Sequence, residues 1–497
     1  MRLNLDALRG AHVTVMGLGL HGGGIASARF LASAGAQVTV TDLRGPEVLA
    51  PSLQALENLP IRFVLGKHEM DDFVHADFVV KNPAVKRDSP YLQAARHIET
   101  DISLFLKFSD APLIAVTGSK GKSTTSSAIY HCLRKAGLPA FLGGNITVSP
   151  LEFLRDTTPE TPVVLELSSW QLGDLRGTGL LKPKVAVLTT IVPDHLNYYG
   201  SMESYVNDKR EIYRGQDQDD WTVCNADQDW GRSFASDTRA RVLWYASRPF
   251  EGLLPEEARG GWLESDTSSH PALVLGFGNL TACRELLVPA KVRTPGMHQK
   301  KNLLAAAVAL RAFGIEASVI ADAMADFPGV PHRLEHIATI DDVQWYNDSA
   351  ATVPDATIAA LESFSQPMVL IAGGSDKNSD FEDLARHMVK AKRIILLKGS
   401  GTDRLRPLLE QHGIHTEDPC GSMHEAVQQA AEAATPGDVV VLSPGCASFG
   451  LFLHEFDRGD QFRKEVMLLA RERGCCSTGD FLSITTCKGN GSIPYKR

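Results

Sequence analysis

Apolar positions along the chain form short β-branched runs that alternate with longer runs at helical spacing. The early runs that predict strands cover residues 12–17, 37–41, 61–65 and 77–81. Alternation of this kind predicts an α/β unit. Further on, Val163-Val-Leu-Glu-Leu167 and Val185-Ala-Val-Leu-Thr189 are almost continuously apolar, which is typical of parallel strands covered on both faces.

The rest of the chain predicts an addition to this second region and then another α/β unit. Residues 221–293 contain turns and short strands, and we expect an antiparallel addition there. An alanine-rich helix is predicted over Asn302 to Phe313, and Phe327-Pro-Gly-Val-Pro-His332 marks a boundary. Apolar runs beyond that boundary cover residues 368–372, 393–397 and 438–442.

A glycine loop follows the strand that begins at Ile114. Its glycines let backbone N–H groups turn toward a phosphate, while Lys122 adds a positive charge and the Ser123 hydroxyl suits Mg²⁺. The helix predicted over Ser126 to Ala136 directs its N-terminus at the same anion. The loop therefore indicates a nucleoside triphosphate site, the alternative being a plain strand–turn–helix. The candidate phosphate-binding residues are Gly118, Ser119, Lys120, Gly121, Lys122, Ser123 and Thr124.

A second glycine motif, Gly17-Leu-Gly-Leu-His-Gly22, follows the first predicted strand. A small-residue helix and a strand ending in Asp42 complete the dinucleotide fingerprint. Alone, this motif would indicate an NAD-dependent dehydrogenase. Together with the later loop it indicates two nucleotide sites on two domains, and a helix–strand contact without a ligand is the plainer alternative.

Composition narrows the class of protein. A length of 497 residues suits about three domains, and a net charge of −9 makes nucleic acid an unexpected partner. The eight cysteines include no CxxC pair, so we expect neither structural zinc nor a disulfide framework. No apolar run has the length of a membrane span, and we expect a soluble cytoplasmic protein.

Three further residues are candidates for chemistry. Glu166 is a single acid within an apolar strand, where burial is costly without a cation, so a Mg²⁺ ligand is indicated and a salt-bridged edge residue is the alternative. His195 follows the next strand, and a structural histidine is the plainer interpretation. Lys209 lies in a predicted helix, where the pattern alone indicates a solvated surface lysine.

These motifs occur in an order that resembles the Mur ligase family, over about residues 10 to 465. Besides the two glycine loops, the matching motifs are Gly143-Gly-Asn145-Ile, Leu165-Glu-Leu-Ser-Ser-Trp-Gln171, Asp194-His195-Leu, Gly296-x-His-x-x-x-Asn302, His332-Arg333-Leu-Glu and Asn347-Asp348-Ser. Within the family, four stretches resemble the members that add D-glutamate. They are the Leu165–Gln171 stretch, residues 82–85, Thr100-Asp-Ile-Ser-Leu-Phe105 and Leu442-Ser-Pro-Gly-Cys-Ala-Ser448.

The resemblance implies an ATP-dependent ligase of peptidoglycan synthesis. It would join D-glutamate to the carboxylate of UDP-N-acetylmuramoyl-L-alanine through an acyl phosphate. The implied α/β domains are a Rossmann-like domain that binds the UDP-sugar (1–107), a central P-loop ATPase-type domain with a parallel sheet (108–328) and a C-terminal Rossmann-like domain that binds the amino acid (329–473). We expect residues 474–497 to be a disordered tail.

The resemblance also implies a role for each candidate residue. Lys122 would hold phosphates, Ser123 and Glu166 one Mg²⁺, and His195 a second, while Lys209 would carry a CO₂-derived carbamate. The implied adenine, phosphate and ribose contacts of ATP are Asn302, Arg333 and Asp348. The implied UDP-sugar contacts are Leu20, His21, Asp42, Arg44 and Asn145. The implied glutamate contacts are Thr352, Lys377 and Ser448. A monomer is expected.

The chain departs from the family pattern at three places. Ala350 stands where many D-glutamate ligases have lysine, Lys120 stands where asparagine is usual, and the stretch after Ser448 differs. Either Lys377 or Lys120 compensates for the missing lysine, or the acceptor pocket differs. The open alternatives are therefore L-glutamate as the acceptor, or a ligase similar to folylpolyglutamate synthase.

Two other classes explain less of the sequence. A dehydrogenase would leave the phosphate-binding loop at residues 118–124, Glu166 and His195 without a role. A non-catalytic nucleotide sensor would not need Lys122, Glu166, His195 and Lys209 to be intact.

Overall fold

The computed structural model of the protein describes residues 4–20, 22–146, 148–264, 273–275, 285–294, 296–376 and 379–474. The first region contains one sheet and its helices. The strands are β1 (His12–Met16), β2 (Gln37–Asp42), β3 (Ile61–Leu65), β4 (Phe78–Lys81) and β5 (Ile98–Glu99). The helices are α1 (Gly23–Ser33), α2 (Pro46–Gln54), α3 (Asp71–Val74), α4 (Pro90–Ala94) and α5 (Asp101–Phe108).

The first sheet is parallel throughout, with strand order β3-β2-β1-β4-β5. The order reverses direction at β1, and ligands of doubly wound sheets bind where the strand order reverses. The glycine motif lies there, after β1. A Cβ atom on Gly24 would lie 2.2 Å from the carbonyl oxygen of Leu18, so a small residue is needed where α1 approaches the loop.

The described residues of the central region form nine strands. They are β6 (Leu113–Thr117), β7 (Phe141–Gly144), β8 (Val163–Glu166), β9 (Val185–Leu188), β10 (Trp221–Asn225), β11 (Arg241–Ala246), β12 (Gly260–Leu263), β13 (Leu273–Leu275) and β14 (Glu285–Leu286). The helices are α6 (Lys122–Lys135), α7 (Ser169–Asp174), α8 (Leu196–Tyr199), α9 (Met202–Lys209), α10 (Glu211–Arg214), α11 (Asp229–Asp237), α12 (Met297–Phe313) and α13 (Ala317–Asp326).

The central sheet has the order β14-β13-β12-β11-β10-β9-β6-β8-β7. Strands β6 to β12 all pair in parallel with their neighbours, and antiparallel pairing begins only between β12 and β13. The expectation of an antiparallel addition over residues 221–293 is therefore wrong for its first part. Helix α11 provides the crossover that joins β10 to β11, and such a crossover produces a parallel pair.

The C-terminal region forms a third sheet. Its strands are β15 (Glu335–Ile340), β16 (Val343–Asn347), β17 (Met368–Gly373), β18 (Arg393–Leu397) and β19 (Val439–Leu442). Its helices are α14 (Pro354–Glu362), α15 (Glu382–Met388), α16 (Ser400–Gln411), α17 (Met423–Ala433) and α18 (Glu455–Glu472). The order is β15-β16-β19-β17-β18, parallel except for the β15–β16 hairpin.

The chain divides into two compact units. One contains the first two sheets, with Lys301–Met324, and the other contains Lys291–Lys300 and the third sheet. The boundaries at residues 107 and 328 stay a prediction, and the predicted tail beyond Gly474 lies outside the described residues. No helix in the described parts is long and apolar enough to cross a membrane.

Candidate active site

The glycine loop between β6 and α6 is held against the end of β9. A Cβ atom on Gly118 would lie 1.9 Å from Thr189 Oγ1, so the contact requires glycine. The backbone N–H groups of Ser119 and Lys120 both donate to the carbonyl of Thr190, at 2.8 and 3.2 Å. These two amides are therefore engaged within the protein.

Helix α6 begins at Lys122, one turn earlier than predicted. At its start, the Thr125 N–H donates to the Gly121 carbonyl at 3.0 Å. The first amides of an α-helix have no intrahelical acceptor, and they carry the positive end of the helix dipole. This helix start, rather than the whole loop, is therefore suited to an anion.

Lys122 and Lys209 meet at the carbonyl of Gly118. Their Nζ atoms donate to that oxygen at 3.0 and 2.9 Å. Lys209 is the last residue of α9 and is 1% exposed, with its Nζ 4.5 Å from the ring centroid of Tyr205. Burial, together with the Lys122 charge, lowers the pKa of Lys209 well below its ordinary value, although Asp194 and Asp208 oppose this. The interpretation as a solvated surface lysine is wrong.

Glu166 ends β8 and is 1% exposed. Its carboxylate accepts hydrogen bonds from Asn145 Nδ2 at 2.9 Å and Ser126 Oγ at 3.3 Å. Strand β8 lies between β6 and β7, so the alternative of an edge residue is wrong. Because both donors are uncharged, a cation beside this carboxylate would offset the remaining cost of its burial.

His195 lies on the rim of the same region but is half-exposed. It adopts a left-handed backbone conformation, with φ of 52°. Its ring lies 4.9 Å from the Trp170 ring centroid, and its Nε2 is 3.7 Å from Asp194 Oδ2. Within the described ranges, no three His, Cys, Asp or Glu side chains converge as metal ligands. The predicted set of Ser123, Glu166, His195 and Lys209 contains only two residues of those types.

Asn302 lies beside the glycine loop, as its predicted role in ATP binding requires. A Cβ atom on Gly121 would lie 2.3 Å from Asn302 Oδ1. The Asn302 carbonyl also accepts a hydrogen bond from Thr125 Oγ1 at 3.3 Å. Helix α12 therefore contacts the start of α6, which explains how a residue so distant in sequence reaches the loop.

A cavity of about 420 Å³ opens at the carboxyl ends of the first sheet. Four predicted UDP-sugar contacts line it, namely Leu20, Asp42, Arg44 and Asn145. His21 lies outside the described residues. Sequence reasoning did not assign five polar residues of the lining, which are His68, Asn82, Asp101, Ser149 and Gln171. Asn82, Asp101 and Gln171 belong to family motifs, and His68 follows the carboxyl end of β3, where ligand contacts of such sheets lie.

Asp42 and Arg44 form a rigid pair at this cavity. Arg44 Nε and Nη2 donate to the two Asp42 oxygens at 3.0 and 2.9 Å, and the Gly19 amide donates to Asp42 at 3.2 Å. Burial acts to raise the pKa of Asp42, but these hydrogen bonds outweigh it and hold the pKa below its ordinary value. The carboxylate at the end of β2 is thus ionised and fixed.

In the C-terminal unit, a strained turn presents Arg333. His332 and Leu334 on either side have φ of 62° and 44°, a region that bulky residues rarely adopt. The Glu335 carboxylate accepts a hydrogen bond from the His332 amide at 2.9 Å, and the Asp348 carboxylate accepts one from the Leu334 amide at 3.2 Å. The turn therefore brings together two predicted ATP contacts, the exposed Arg333 and the buried Asp348.

The surroundings of the buried Asp348 strongly shift the pKa of its carboxyl group. Its second oxygen accepts a hydrogen bond from Ser443 Oγ at 2.7 Å. Burial raises the pKa of Asp348 to about 7, although the hydrogen bonds from Ser443 and Leu334 and the charge of Arg333 favour the ionised form.

Two of the predicted glutamate contacts, Thr352 and Ser448, follow closely on two segments of this unit that Arg458 connects. The guanidinium of Arg458, which is fully buried, donates to Ser349 Oγ, the Ser349 carbonyl and the Cys446 carbonyl at 3.0, 2.8 and 3.1 Å. Thr352 lies three residues after Ser349, and the buried Ser448 lies two residues after Cys446. Lys377 lies outside the described residues. Arg458 was not predicted, because its position on α18 carries no loop motif.

Comparison with known proteins agrees with these features. Three family models match in succession, described as Mur ligase MurD-like, N-terminal domain (residues 11–103), Mur ligase middle domain (116–310) and Mur ligase, glutamate ligase domain (332–446). UDP-N-acetylmuramoylalanine–D-glutamate ligases of Treponema pallidum (strain Nichols) and Roseiflexus sp. (strain RS-1) are each 43% identical to this chain. The alignments cover 93% and 92% of this chain and 98% and 99% of those proteins.

Among solved structures, the UDP-N-acetylmuramate-alanine ligase MurC of Thermotoga maritima superposes with a TM-score of 0.60 at 20% identity. That match covers 93% of this chain and 100% of the other, and it shows the shared fold. The three-domain α/β prediction and the resemblance drawn from the motifs are confirmed: the chain belongs to the Mur ligase family.

Proposed function

We propose that the protein joins D-glutamate to the carboxylate of UDP-N-acetylmuramoyl-L-alanine, using ATP and releasing ADP and phosphate. The relatives that align over almost their whole length carry this activity in their names. The observation that carries the proposal is the meeting of Lys122 and Lys209 at the Gly118 carbonyl, in the same compact unit as the cavity beside Asp42. The proposal includes the predicted division of the chain into three domains, with boundaries near residues 107 and 328.

Lys122 and the start of α6 bind the β- and γ-phosphates of ATP. In the structure the Lys122 ammonium folds back onto the Gly118 and Ser119 carbonyls, both at 3.0 Å. Phosphate oxygens are stronger acceptors for an ammonium group than neutral carbonyls. ATP therefore draws this side chain toward the helix start, where the first amides of α6 add further donors.

Ser123 and Glu166 would hold Mg²⁺, and His195 would hold a second ion from the rim. The donors for the first ion fit, because hydroxyl and carboxylate oxygens are preferred by this cation and the Glu166 carboxylate has only uncharged donors in its described contacts. When bound, Mg²⁺ supplies neutralisation of the charge that develops on the transferred phosphoryl group. Glu166 is held for this role by Asn145 and Ser126.

Lys209 takes up CO₂ as a carbamate. The amine is buried and shares one carbonyl acceptor with Lys122, so two cations would otherwise crowd the same oxygen. Carbamylation replaces this repulsion with attraction, because the modified side chain is an anion next to the Lys122 ammonium. ¹³C NMR of the protein under ¹³CO₂ should show a carbamate signal that is absent from Lys209→Met.

The reaction then proceeds in two steps. A carboxylate oxygen of UDP-N-acetylmuramoyl-L-alanine attacks the γ-phosphorus of ATP, the bond to the β-phosphate oxygen breaks, and ADP leaves. The amine of D-glutamate attacks the acyl phosphate carbon, phosphate leaves with the electron pair of its C–O bond, and the amine loses a proton. Thr352, Ser448 and Lys377 receive the glutamate, and positioning together with charge neutralisation supplies most of the protein's contribution.

An isotope experiment tests this chemistry. The substrate carboxylate is labelled with ¹⁸O, and the phosphate that forms during turnover with D-glutamate is analysed by mass spectrometry. The proposal expects one ¹⁸O atom in each phosphate, because the attacking carboxylate oxygen leaves with it. Unlabelled phosphate would mean that ATP is hydrolysed by water, and the proposed reaction would then be wrong.

A further inference from the structure

A buried group of charged side chains lies between the first sheet and the helices of the central region. We call it the charge cluster, and it consists of Lys81, Arg87, Asp174 and Asp208. Lys81 Nζ donates to Asp174 Oδ2 at 2.6 Å, and Arg87 Nε donates to Asp174 Oδ1 at 2.8 Å. Arg87 Nη1 lies 3.6 Å from Asp208 Oδ2. Three of the four side chains, all except Arg87, are 6% exposed or less.

One side of the charge cluster adjoins the substrate cavity. Lys81 ends β4, and the loop from Asn82 to Val85 that follows it lines the cavity before the chain reaches Arg87. Gln171 also lines the cavity, and it belongs to α7, the helix that ends at Asp174. A ligand that contacts the loop or Gln171 therefore acts on elements that the charge cluster connects.

The other side of the charge cluster reaches the catalytic lysine. Asp208 precedes Lys209 on α9 and accepts a hydrogen bond from Tyr199 OH at 3.1 Å, besides an ion pair with Arg176. Lys209 in turn donates to the Gly118 carbonyl of the glycine loop. The cavity loop and the phosphate-binding loop are thus connected in part along the chain, which runs from Val85 to Arg87 and from Asp208 to Lys209, and in part by the contacts Arg87–Asp208 and Lys209–Gly118.

The packing around Arg87 is close. Its Nη2 donates to the Trp170 carbonyl at 3.1 Å. A Cβ atom on Gly173 would lie 1.9 Å from that nitrogen and 2.3 Å from Asp208 Oδ2. Buried ion pairs contribute little net stability, since desolvation offsets their attraction. A planar guanidinium that bridges two helices instead fixes their relative position.

We propose that Arg87 and Asp174 are positioning residues that couple occupation of the cavity to the position of Lys209 and its glycine loop. The inference rests on the proposed function, because it takes the cavity as the UDP-sugar site. A filled cavity fixes the loop from Asn82 to Val85, and the charge cluster transmits that order to α9. Binding of the UDP-sugar and of ATP should therefore be mutually favourable, and the coupling should be reciprocal.

Isothermal titration calorimetry of the full chain measures this coupling. The probes are UDP-N-acetylmuramoyl-L-alanine and adenylyl imidodiphosphate, each titrated with and without the other. In the wild type we expect the second ligand to bind at least ~5-fold more tightly than it does alone. We define the coupling ratio as the Kd of a ligand alone divided by its Kd in the presence of the other ligand. In Arg87→Met and Asp174→Asn this ratio should fall below ~2-fold, while each ligand alone binds within ~3-fold of the wild type.

Two further variants distinguish positioning from general damage. Arg87→Lys keeps the charge for Asp174 but cannot also bridge to the Trp170 carbonyl and Asp208, so its ratio should be intermediate. The control, Lys182→Met, removes ion pairs with Asp217 and Asp220, which do not belong to the charge cluster, and should keep the wild-type ratio. A purely structural role would weaken single-ligand binding and leave the ratio unchanged.

The outcomes separate this inference from the proposed function. If the wild type binds both probes and turns over, but Arg87→Met keeps the wild-type ratio, the inference is overturned and the proposed function stands. A wild-type ratio near one also overturns the inference alone. If the wild type does not bind the UDP-sugar, the proposed function and the inference are both overturned.

Discussion

Substitution of Asp348 by asparagine should stabilise the C-terminal unit at neutral pH while weakening ATP binding. The buried carboxylate accepts hydrogen bonds from the Leu334 amide and Ser443 Oγ. Asparagine has nearly the same shape, and its oxygen can accept from Leu334. Its nitrogen can donate to Ser443, whose hydroxyl already lies 3.2 Å from Thr357 Oγ1 as an alternative acceptor.

The magnitude follows from the pKa of about 7 that burial gives Asp348. An unfolded aspartate titrates near 3.9, so between about pH 4 and 7 the folded chain keeps a proton that the unfolded chain has released. Stability of the wild type therefore falls as the pH rises through this window, by about 4 kcal/mol in all. The Asp348→Asn side chain has no such proton, and the advantage of the variant should grow by about 3 kcal/mol between pH 5 and pH 8.

Urea unfolding at the two pH values tests this prediction. The ¹⁹F NMR signal of the buried Trp345, in protein labelled with fluorotryptophan, reports on the third sheet separately from the other five tryptophans. Asp418→Asn, at a side chain that is 97% exposed, is the matched control. The control should show little pH-dependent difference from the wild type. An Asp348→Asn variant with the same relative stability at both pH values would refute the reasoning. The contact with ribose that the family resemblance predicts for Asp348 would lose its charge, and on that prediction the KM for ATP should rise by about 10-fold.

Three further substitutions test separate parts of the site. Gly121→Ala should raise the KM for ATP at least ~10-fold, because φ is 91° and the added Cβ would lie 2.3 Å from Asn302 Oδ1. Arg44→Met should raise the KM for the UDP-sugar about 10-fold without changing the KM for ATP, because Asp42 loses its bidentate partner. Glu166→Gln should reduce kcat at least ~100-fold and raise the Mg²⁺ concentration needed for half-maximal rate.

Matched controls accompany the first two. Gly137→Ala places an alanine at φ of 79°, with nothing within 4 Å of its Cβ, so it carries the backbone strain without the contact. Arg62→Met removes two ion pairs of the first region, with Glu69 and Asp72, and Arg62 does not line the cavity. If Gly137→Ala raised the KM for ATP as much as Gly121→Ala, contact with Asn302 would not be the cause. An unchanged Mg²⁺ requirement in Glu166→Gln would remove this residue from the metal site.

The parts of the fold that local pattern determines could be predicted from sequence. The buried strand that ends in Glu166 is apolar on both faces, and the structure places it inside the sheet. The helix after the glycine loop was predicted to begin at Ser126, but it begins at Lys122, because the left-handed Gly121 starts it directly after the loop. The sequence could not predict whether the strands over residues 221–293 pair in parallel or antiparallel. A series of short strands does not indicate which of them are joined by a helical crossover connection.

Burial of charged residues was the main feature that sequence reasoning missed. Lys209 was interpreted as exposed from its own helix, but Tyr205 and the Gly118 carbonyl cover it. Asp208 and Arg458 were not singled out from the sequence at all, and their partners Arg176 and Ser349 lie 32 and 109 residues away in the chain. Only tertiary packing brings such partners together, so the pattern of one helix cannot predict them.

The central claim is tested most directly by phosphate release from ATP in the presence of UDP-N-acetylmuramoyl-L-alanine. The acceptors to compare are D-glutamate, L-glutamate, D-aspartate and none. The account predicts turnover with D-glutamate alone, which would also show that Ala350 is compatible with this acceptor. A preference for L-glutamate would place the error in the C-terminal acceptor loops, and no turnover with any acceptor would contradict the assigned reaction.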